Sequence, residues 1–129
     1  MSKPIATMTG LDVTLQEVHY SQEVQTTPDR PYGFVYDIAI NNGASEPVTI
    51  KGRKWVVTTH SGEKIVTEGS GVAGDFPRIE PGESFQYNGY HLIDSDSVAE
   101  GSYLGLTDSG RHVIAPIPSF AMRVPREAS

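Results

Sequence analysis

Apolar and polar residues alternate along most of this chain, in short segments that turn residues separate. A period of two places successive side chains on opposite faces, so each segment is typical of a half-buried β-strand. In the clearest segment, residues 32–40, Phe34, Tyr36 and Ile38 share one face. We predict strands or extended segments over the ranges 11–16, 18–26, 32–40, 48–59, 64–68, 85–89, 98–107, 112–117 and 120–124.

Turn residues recur between the predicted strands at spacings of roughly 8–12 residues. Asn41-Asn42-Gly43 and Asp108-Ser-Gly110 contain residues that accept a positive φ at little cost. Gly52 interrupts its strand and indicates a β-bulge or a bend. Pro116 and Pro118 restrict their strands to a sheet edge or a strand start. No capped segment with a helical period accompanies them, so the sequence predicts an all-β, antiparallel sandwich or barrel.

The length of 129 residues suits one domain with its own apolar core. We predict a flexible N-terminal tail over residues 1–9 and a single domain over residues 10–126. The first ten residues lack the apolar run of a signal peptide, and no segment approaches the ~18 apolar residues of a membrane-spanning helix. The chain has no cysteine, which excludes disulfides, thiol catalysis and cysteine-bound zinc. We therefore expect a cytoplasmic protein without membrane insertion.

The formal net charge is −6 at pH 7, with a pI near 5.1. Non-specific binding of nucleic acid requires a basic surface that displaces counterions, so we expect no nucleic-acid partner. A local basic cluster remains at Lys51, Arg53 and Lys54, and its simplest interpretation is a solvated strand edge.

A GxGxxG motif at Gly69, Gly71 and Gly74 is the first candidate for a binding site. A dinucleotide-binding loop of this type is followed by a helix whose N-terminus faces the pyrophosphate. Here Asp75-Phe-Pro77 and Pro81-Gly82 follow, which leaves no room for that helix, and the Asp75 carboxylate would repel phosphate. The sequence therefore predicts no Rossmann-type site.

Two interpretations of the glycine motif remain open. The glycines can serve the conformation and close packing of a loop. Alternatively, consecutive backbone N–H groups can form an anion-binding nest, with positive charge supplied by Arg53, Lys64 or Arg78.

Candidate metal ligands and nucleophiles form no recognisable motif. The four histidines have neither HxH nor HExxH spacing, and Asp94 and Asp96 lack the glycine and distal glutamate of a calcium loop. Gly69-Ser70-Gly71 is too short for a nucleophile elbow. We therefore predict no catalytic residue, no metal site and no cofactor.

Most aromatic side chains occupy alternating strand positions and are predicted to lie in the core: Phe34, Tyr36, Trp55, Phe85, Tyr87, Tyr103 and Phe120. Tyr32, Phe76 and Tyr90 instead flank turns or loops, which makes them candidates for an exposed recognition surface. If Phe76 is exposed beside the glycine motif, it can anchor a partner protein.

Several segments together resemble the ApaG family, and the similarity extends over about residues 11–125. The matching segments are residues 34–43 (FVYDIAINNG), 48–55 (VTIKGRKW), 68–74 (EGSGVAG), 81–83 (PGE), 85–87 (FQY), 101–103 (GSY) and 117–120 (IPSF). The chain departs from the family pattern at Lys54, at Thr59-His60 and at Ala73.

The resemblance implies a β-sandwich of the fibronectin type III or immunoglobulin kind. It also implies an association with cobalt and magnesium resistance, and a kinship with domains that act as protein-interaction modules. The family's glycine motif has been likened to a pyrophosphate-binding loop, which would here be Gly69, Gly71 and Gly74.

Three functional hypotheses follow from the residues and the resemblance. The first is a non-enzymatic domain that recognises a protein partner. The alternative is a sensor of phosphate, pyrophosphate or a nucleotide through the glycine motif. The third, suggested only by the family's association, is hydrolysis of dinucleoside polyphosphates. Exposed strand edges are compatible with a monomer or a weak dimer.

Overall fold

The computed structural model describes residues 7–126, which form two antiparallel sheets packed as a sandwich. The strands are β1 (Leu11–Ser21), β2 (Tyr32–Asn42), β3 (Val48–Thr59), β4 (Lys64–Ser70), β5 (Arg78–Ile79), β6 (Ser84–Ile93), β7 (Ser97–Thr107) and β8 (His112–Met122). One sheet has the order β1-β2-β6, and the other has the order β4-β3-β7-β8 with β5 paired to β3. The predicted all-β sandwich is confirmed, while the likeness to fibronectin type III or immunoglobulin domains stays a prediction.

Irregularities in strand pairing explain where the predicted boundaries differ from the structure. The segments predicted over 11–16 and 18–26 are largely one strand, β1, whose pairing with β2 shifts between Leu15 and Glu17. The segments 112–117 and 120–124 likewise belong mainly to β8. A bulge inserts a residue without ending the strand, so it changes the phase of the alternation. The bulge predicted at Gly52 is confirmed by a register shift between Ile50 and Gly52.

The short strand β5 is absent from the predicted strands, because its two residues are too few to show a period. Ile79 pairs with Val48 and is buried in the core. The neighbouring Asn42 side chain is also buried, and its Nδ2 donates to the carbonyl oxygens of Glu46 and Ile79, at 2.9 Å each. These bonds satisfy the buried amide and attach β5 to the end of β2.

The core contains most of the aromatic residues that the alternation assigned to it. Buried members are Phe34, Tyr36, Trp55, Tyr103 and Phe120. Phe85 and Tyr87 are half-buried and pack against this core. The predicted tail, residues 1–9, lies mostly outside the described residues, but Met8 is buried against the core. The packed domain therefore includes Met8.

The two sides of the sandwich differ in how closely the sheets approach. On one side the edge strand β1 packs against the edge strand β8. On the other side the edge strands β4 and β6 hardly meet within the described residues, and a cleft lies between the sheets there. This open side also carries the glycine motif, since β4 ends at Ser70.

We predict that Gly101→Ala destabilises the domain by about 1–3 kcal/mol, because a Cβ at Gly101 would overlap the carbonyl oxygen of Lys54 on the paired strand. Gly52→Ala is the matched control, since a Cβ there meets its nearest atom, the carbonyl oxygen of Gly69, at 3.4 Å. The control should stay within about 1 kcal/mol of the wild type. Urea unfolding measures the free energy of unfolding of both variants. If the two substitutions lower it equally, the steric overlap at Gly101 is not the cause.

Candidate functional site

The glycine motif continues from β4 into a tight turn. Val72 and Asp75 exchange backbone hydrogen bonds of 2.8 and 2.9 Å, and the residues between them, Ala73 and Gly74, have φ values of 51° and 79°. Two successive positive φ values are typical of a two-residue type I′ turn. Gly71 also has a positive φ, and a Cβ there would overlap the carbonyl oxygen of Asp75. The geometry thus accounts for these glycines by backbone conformation.

Backbone N–H groups around this turn mostly have intramolecular acceptors. The Gly71 N–H donates to the Lys51 carbonyl at 2.8 Å, and the Val72 and Asp75 N–H groups donate to each other's carbonyls. The Phe76 N–H donates to the Asp75 carboxylate at 2.8 Å. These four amides therefore do not converge on an external anion. Within the turn itself, the described residues provide no acceptor for the N–H groups of Ala73 and Gly74.

Arg53 ties the glycine motif to β3. Its Nη1 donates to the carbonyl oxygens of Ser70 at 2.8 Å and Gly71 at 3.1 Å. The guanidinium lies so close to Gly69 that a Cβ there would be 2.6 Å from Nη2. Gly69 therefore leaves room for the Arg53 guanidinium, which a side chain at this position would displace. The charge of Arg53 faces carbonyl oxygens of the loop, so it holds the loop in place.

The other two predicted cations lie elsewhere. Arg78 binds Asp108 through both Nη atoms, at 2.5 and 2.7 Å, and its Nε donates to Glu80 at 3.0 Å. Hydrogen bonding to Arg78 lowers the pKa of the Asp108 carboxyl. Lys64 begins β4, opposite Thr58, about 17 Å along the strand from Gly69. The structure therefore brings only Arg53 of the three to the glycine motif.

The predicted recognition aromatics do not form one surface. Phe76 and Tyr90 are 53% and 57% exposed, whereas Tyr32 is half-buried and packs against Tyr20. Phe76 follows the turn, and the Nζ of Lys51 lies 5.8 Å from its ring centroid. Tyr90 is on β6, where it lines the cleft. The exposed position expected for Tyr32 is not observed, because its ring continues the inward face of β2.

The cleft on the open side has a volume of about 400 Å³ and lies between β6 and the β3–β4 pair. The residues that line it include Arg30, Tyr36, Arg53, Trp55, Val57, Ile65, Thr67, Ala73, Gly74, Tyr87, Gly89, Tyr90 and His91. Sequence reasoning assigned Trp55 to the core and gave His91 no role. The spacing of these residues could have indicated part of this grouping. Arg53 and Trp55 are two residues apart on β3, and Gly89 and His91 are two residues apart on β6, so each pair lies on the inward face of its strand.

Aromatic rings from both sheets meet at the floor of this cleft. The Tyr36 and Trp55 centroids are 4.9 Å apart, and the His91 ring lies 5.0 Å from Tyr36 and 4.6 Å from Trp55. The hydroxyl groups of Tyr87 and Tyr103 share a hydrogen bond that joins the sheets. Burial raises the pKa of all three tyrosines and lowers the pKa of His91 to about 4. These side chains are therefore neutral near pH 7.

We predict that His91 makes the domain acid-sensitive. The unfolded state takes up a proton near the ordinary pKa of 6.5, while burial lowers the pKa of folded His91 to about 4. The free energy of unfolding should thus fall by about 1–2 kcal/mol between about pH 7 and about pH 5. Urea unfolding at the two pH values measures this loss, which His91→Gln should abolish.

His112→Gln is the matched control for that experiment, because His112 is exposed at the start of β8. The control variant should retain the full acid sensitivity of the wild type. An unchanged pH dependence in His91→Gln would show that His91 is not its source.

Residues 7–126 contain neither a metal-binding cluster of side chains nor a membrane-spanning helix. No group of three His, Asp or Glu side chains in that range is arranged to hold a metal ion, and none of its segments forms a helix able to cross a membrane. Asp96 accepts the Val124 N–H at 2.7 Å, and Asp94 accepts the Ser95 hydroxyl at 3.1 Å. Both carboxylates thus have structural partners.

The sheet order and the arginine-anchored glycine turn define a small β-sandwich domain, and comparisons with known proteins identify its family. The family model described as the ApaG domain matches residues 22–105. Protein ApaG from Xanthomonas oryzae pv. oryzae (strain PXO99A) is 38% identical over 104 residues, which cover 79% of this chain and 82% of that protein. The chain belongs to the ApaG family.

Solved structures agree with this assignment. An X-ray structure of a structural genomics target superimposes with a TM-score of 0.80 at 28% identity, covering 90% of this chain and 88% of the other. The crystal structure of an ApaA protein from Bordetella pertussis gives a TM-score of 0.76 at 28% identity, covering 96% of this chain and all of the other. The sandwich fold is therefore shared across nearly the whole chain.

Proposed function

We propose that this ApaG-family domain is a non-enzymatic, cytoplasmic binding module that recognises a protein partner, with Phe76 as its apolar anchor. The observation that carries the proposal is the exposure of Phe76 immediately after the glycine turn. Exposed aromatic residues at the centre of a small patch often supply much of the binding free energy at a protein interface.

The surroundings of Phe76 support this role, because they hold the residue in one position. Its N–H donates to the Asp75 carboxylate, and the preceding turn is closed by the paired hydrogen bonds of Val72 and Asp75. Pro77, the next residue, is buried, and its carbonyl accepts the Ile50 N–H at 2.9 Å. A side chain presented by a fixed backbone loses little conformational entropy on binding.

We predict that Phe76→Ala weakens partner binding by at least about tenfold without altering stability, because it removes an exposed contact. Tagged wild type, Phe76→Ala and Val66→Ala are used to capture proteins from the source cells, and each captured protein is titrated against all three forms. Val66 is the matched control, since it is 54% exposed on β4.

A partner should bind the wild type and Val66→Ala equally and lose affinity for Phe76→Ala. Partners that bind all three forms alike, or the absence of any saturable partner, would contradict the assignment of Phe76 as the anchor.

A link to cobalt and magnesium resistance, which the resemblance implies, would on this proposal act through the bound partner. The carboxylates of Asp94 and Asp96 already have structural partners, which favours an indirect route to metal tolerance. The edge strands β1, β4, β6 and β8 are compatible with a monomer or a weak dimer formed by edge pairing.

A phosphate-bearing small molecule is the second candidate, favoured by one observation. Ala73 and Gly74 line the same cleft as Arg53, so their two N–H groups and one cation are available on one side of the turn. This arrangement is smaller than the nest that the sequence suggested, because the amides of Gly71, Val72, Asp75 and Phe76 are occupied.

We predict that pyrophosphate and ATP, if they bind, shift the amide resonances of Ala73 and Gly74 and leave those of Gly71 and Val72 nearly unchanged. The reason is that the latter two amides donate to carbonyls of the chain. An NMR titration measures this, and flat shifts at millimolar ligand would end the phosphate hypothesis. Incubating dinucleoside polyphosphates with Mg²⁺ or Co²⁺ tests the third hypothesis, for which turnover at the buffer rate would exclude hydrolysis.

A further inference from the structure

We propose that the cleft between β6 and the β3–β4 pair binds a small aromatic anion, a planar ring that carries a carboxylate or a phosphate. This site is separate from the Phe76 surface, because Phe76 does not line the cleft. Its volume of about 400 Å³ lies within the range of small-molecule sites in proteins, roughly 300–1,000 Å³.

Two buried polar atoms in the cleft wall have no well-formed hydrogen bond to the described residues. They are Nε1 of Trp55 and Nε2 of His91, which belong to different sheets. Trp55 is 3% exposed, and its indole N–H can only donate a hydrogen bond. A buried donor without an acceptor is unfavourable, and nearly all such groups in folded proteins are paired. The Tyr36 hydroxyl interacts with the Trp55 indole, and an acceptor oxygen of an occupant would give the indole N–H a second partner.

The charges around the cleft favour an anion. Arg30 and Arg53 line it, and no carboxylate from residues 7–126 does, although the whole chain has a formal net charge of −6. Arg53 forms no ion pair within residues 7–126, since it donates only to the carbonyls of Ser70 and Gly71 through Nη1. Positive charge concentrated in a cleft of an acidic protein attracts anions selectively. The second Nη of Arg53 remains available to bind a carboxylate or phosphate oxygen.

The walls of the cleft favour a flat ring over a bare anion. Tyr36, Trp55, Tyr87 and His91 present aromatic rings, and Val57 and Ile65 add apolar surface from β3 and β4. Aromatic pairs in proteins gain stabilisation from offset and edge-to-face packing, and a planar ligand can join the same arrangement. The anionic group would then lie toward Arg53, at the end of the cleft nearest the glycine turn.

Trp55 provides a direct readout, because it is the only tryptophan in the sequence. We expect benzoate and phenyl phosphate to shift the indole Hε1 resonance and to change the tryptophan fluorescence, with both signals saturating. Benzamide keeps the ring without the charge, while acetate and inorganic phosphate keep the charge without the ring. Each of these should bind at least about tenfold more weakly than its aromatic anionic counterpart.

Variants on the two faces of β3 locate the anion. Arg53→Gln should weaken benzoate at least about tenfold and benzamide much less, because it removes one of the two positive charges that line the cleft. Lys54→Gln is the matched control, since Lys54 is the adjacent residue on the outward face and is exposed. Arg30→Gln provides a second test that does not disturb the glycine turn, and it should also weaken benzoate selectively.

The outcomes separate clearly. The proposal would be overturned if millimolar benzoate and phenyl phosphate gave no saturable shift of the Trp55 resonance. It would also be overturned if benzamide or acetate bound as tightly as benzoate. An effect of Lys54→Gln as large as that of Arg53→Gln would assign the binding to general surface charge and overturn the site. Loss of partner capture by Phe76→Ala has no bearing on these results, so the two proposals stand or fall independently.

Discussion

The open side of the sandwich depends on the packing of Tyr36, from one sheet, against Trp55, from the other. Their ring centroids are 4.9 Å apart, and a Cβ at Gly89, opposite Tyr36 on β6, would overlap the Tyr36 ring. Such aromatic pairs contribute about 0.5–1.5 kcal/mol beyond the burial of their surface. This contact joins the two sheets at the floor of the cleft that lies between β6 and the β3–β4 pair.

The second constraint is Arg53, whose guanidinium connects the cleft to the glycine motif. It occupies the space above Gly69 and donates to the carbonyls of Ser70 and Gly71. Gly71 has its own requirement, a positive φ and close approach to Asp75. The glycines of the GxGxxG pattern thus meet separate steric requirements, one at each position. A motif that resembles a phosphate loop in its spacing is explained here by local packing and backbone conformation.

The alternation of apolar residues predicted the strands well where a strand keeps one phase, as over residues 32–42. It divided β1 and β8, because a bulge reverses the phase and imitates a boundary. The exposure of Phe76 followed from its place beside a turn, whereas Tyr90 lies within β6 and is exposed because it is on the outward face of that strand. The meeting of Trp55 with His91 was not predictable, because period two assigns residues to a face without showing which strands of the other sheet lie opposite.

The glycine turn lies between the two surfaces for which we propose functions. Ala73 and Gly74 line the cleft, and Phe76 follows two residues later on the outside. Binding at one surface can change the affinity of the other only if the segment between them has two conformations and the bound molecule has a different affinity for each. The turn itself is closed by two backbone hydrogen bonds, so it offers a single arrangement. Arg53 lines the cleft and donates to the carbonyls that precede the turn, so its guanidinium connects the cleft to the backbone that leads to Phe76.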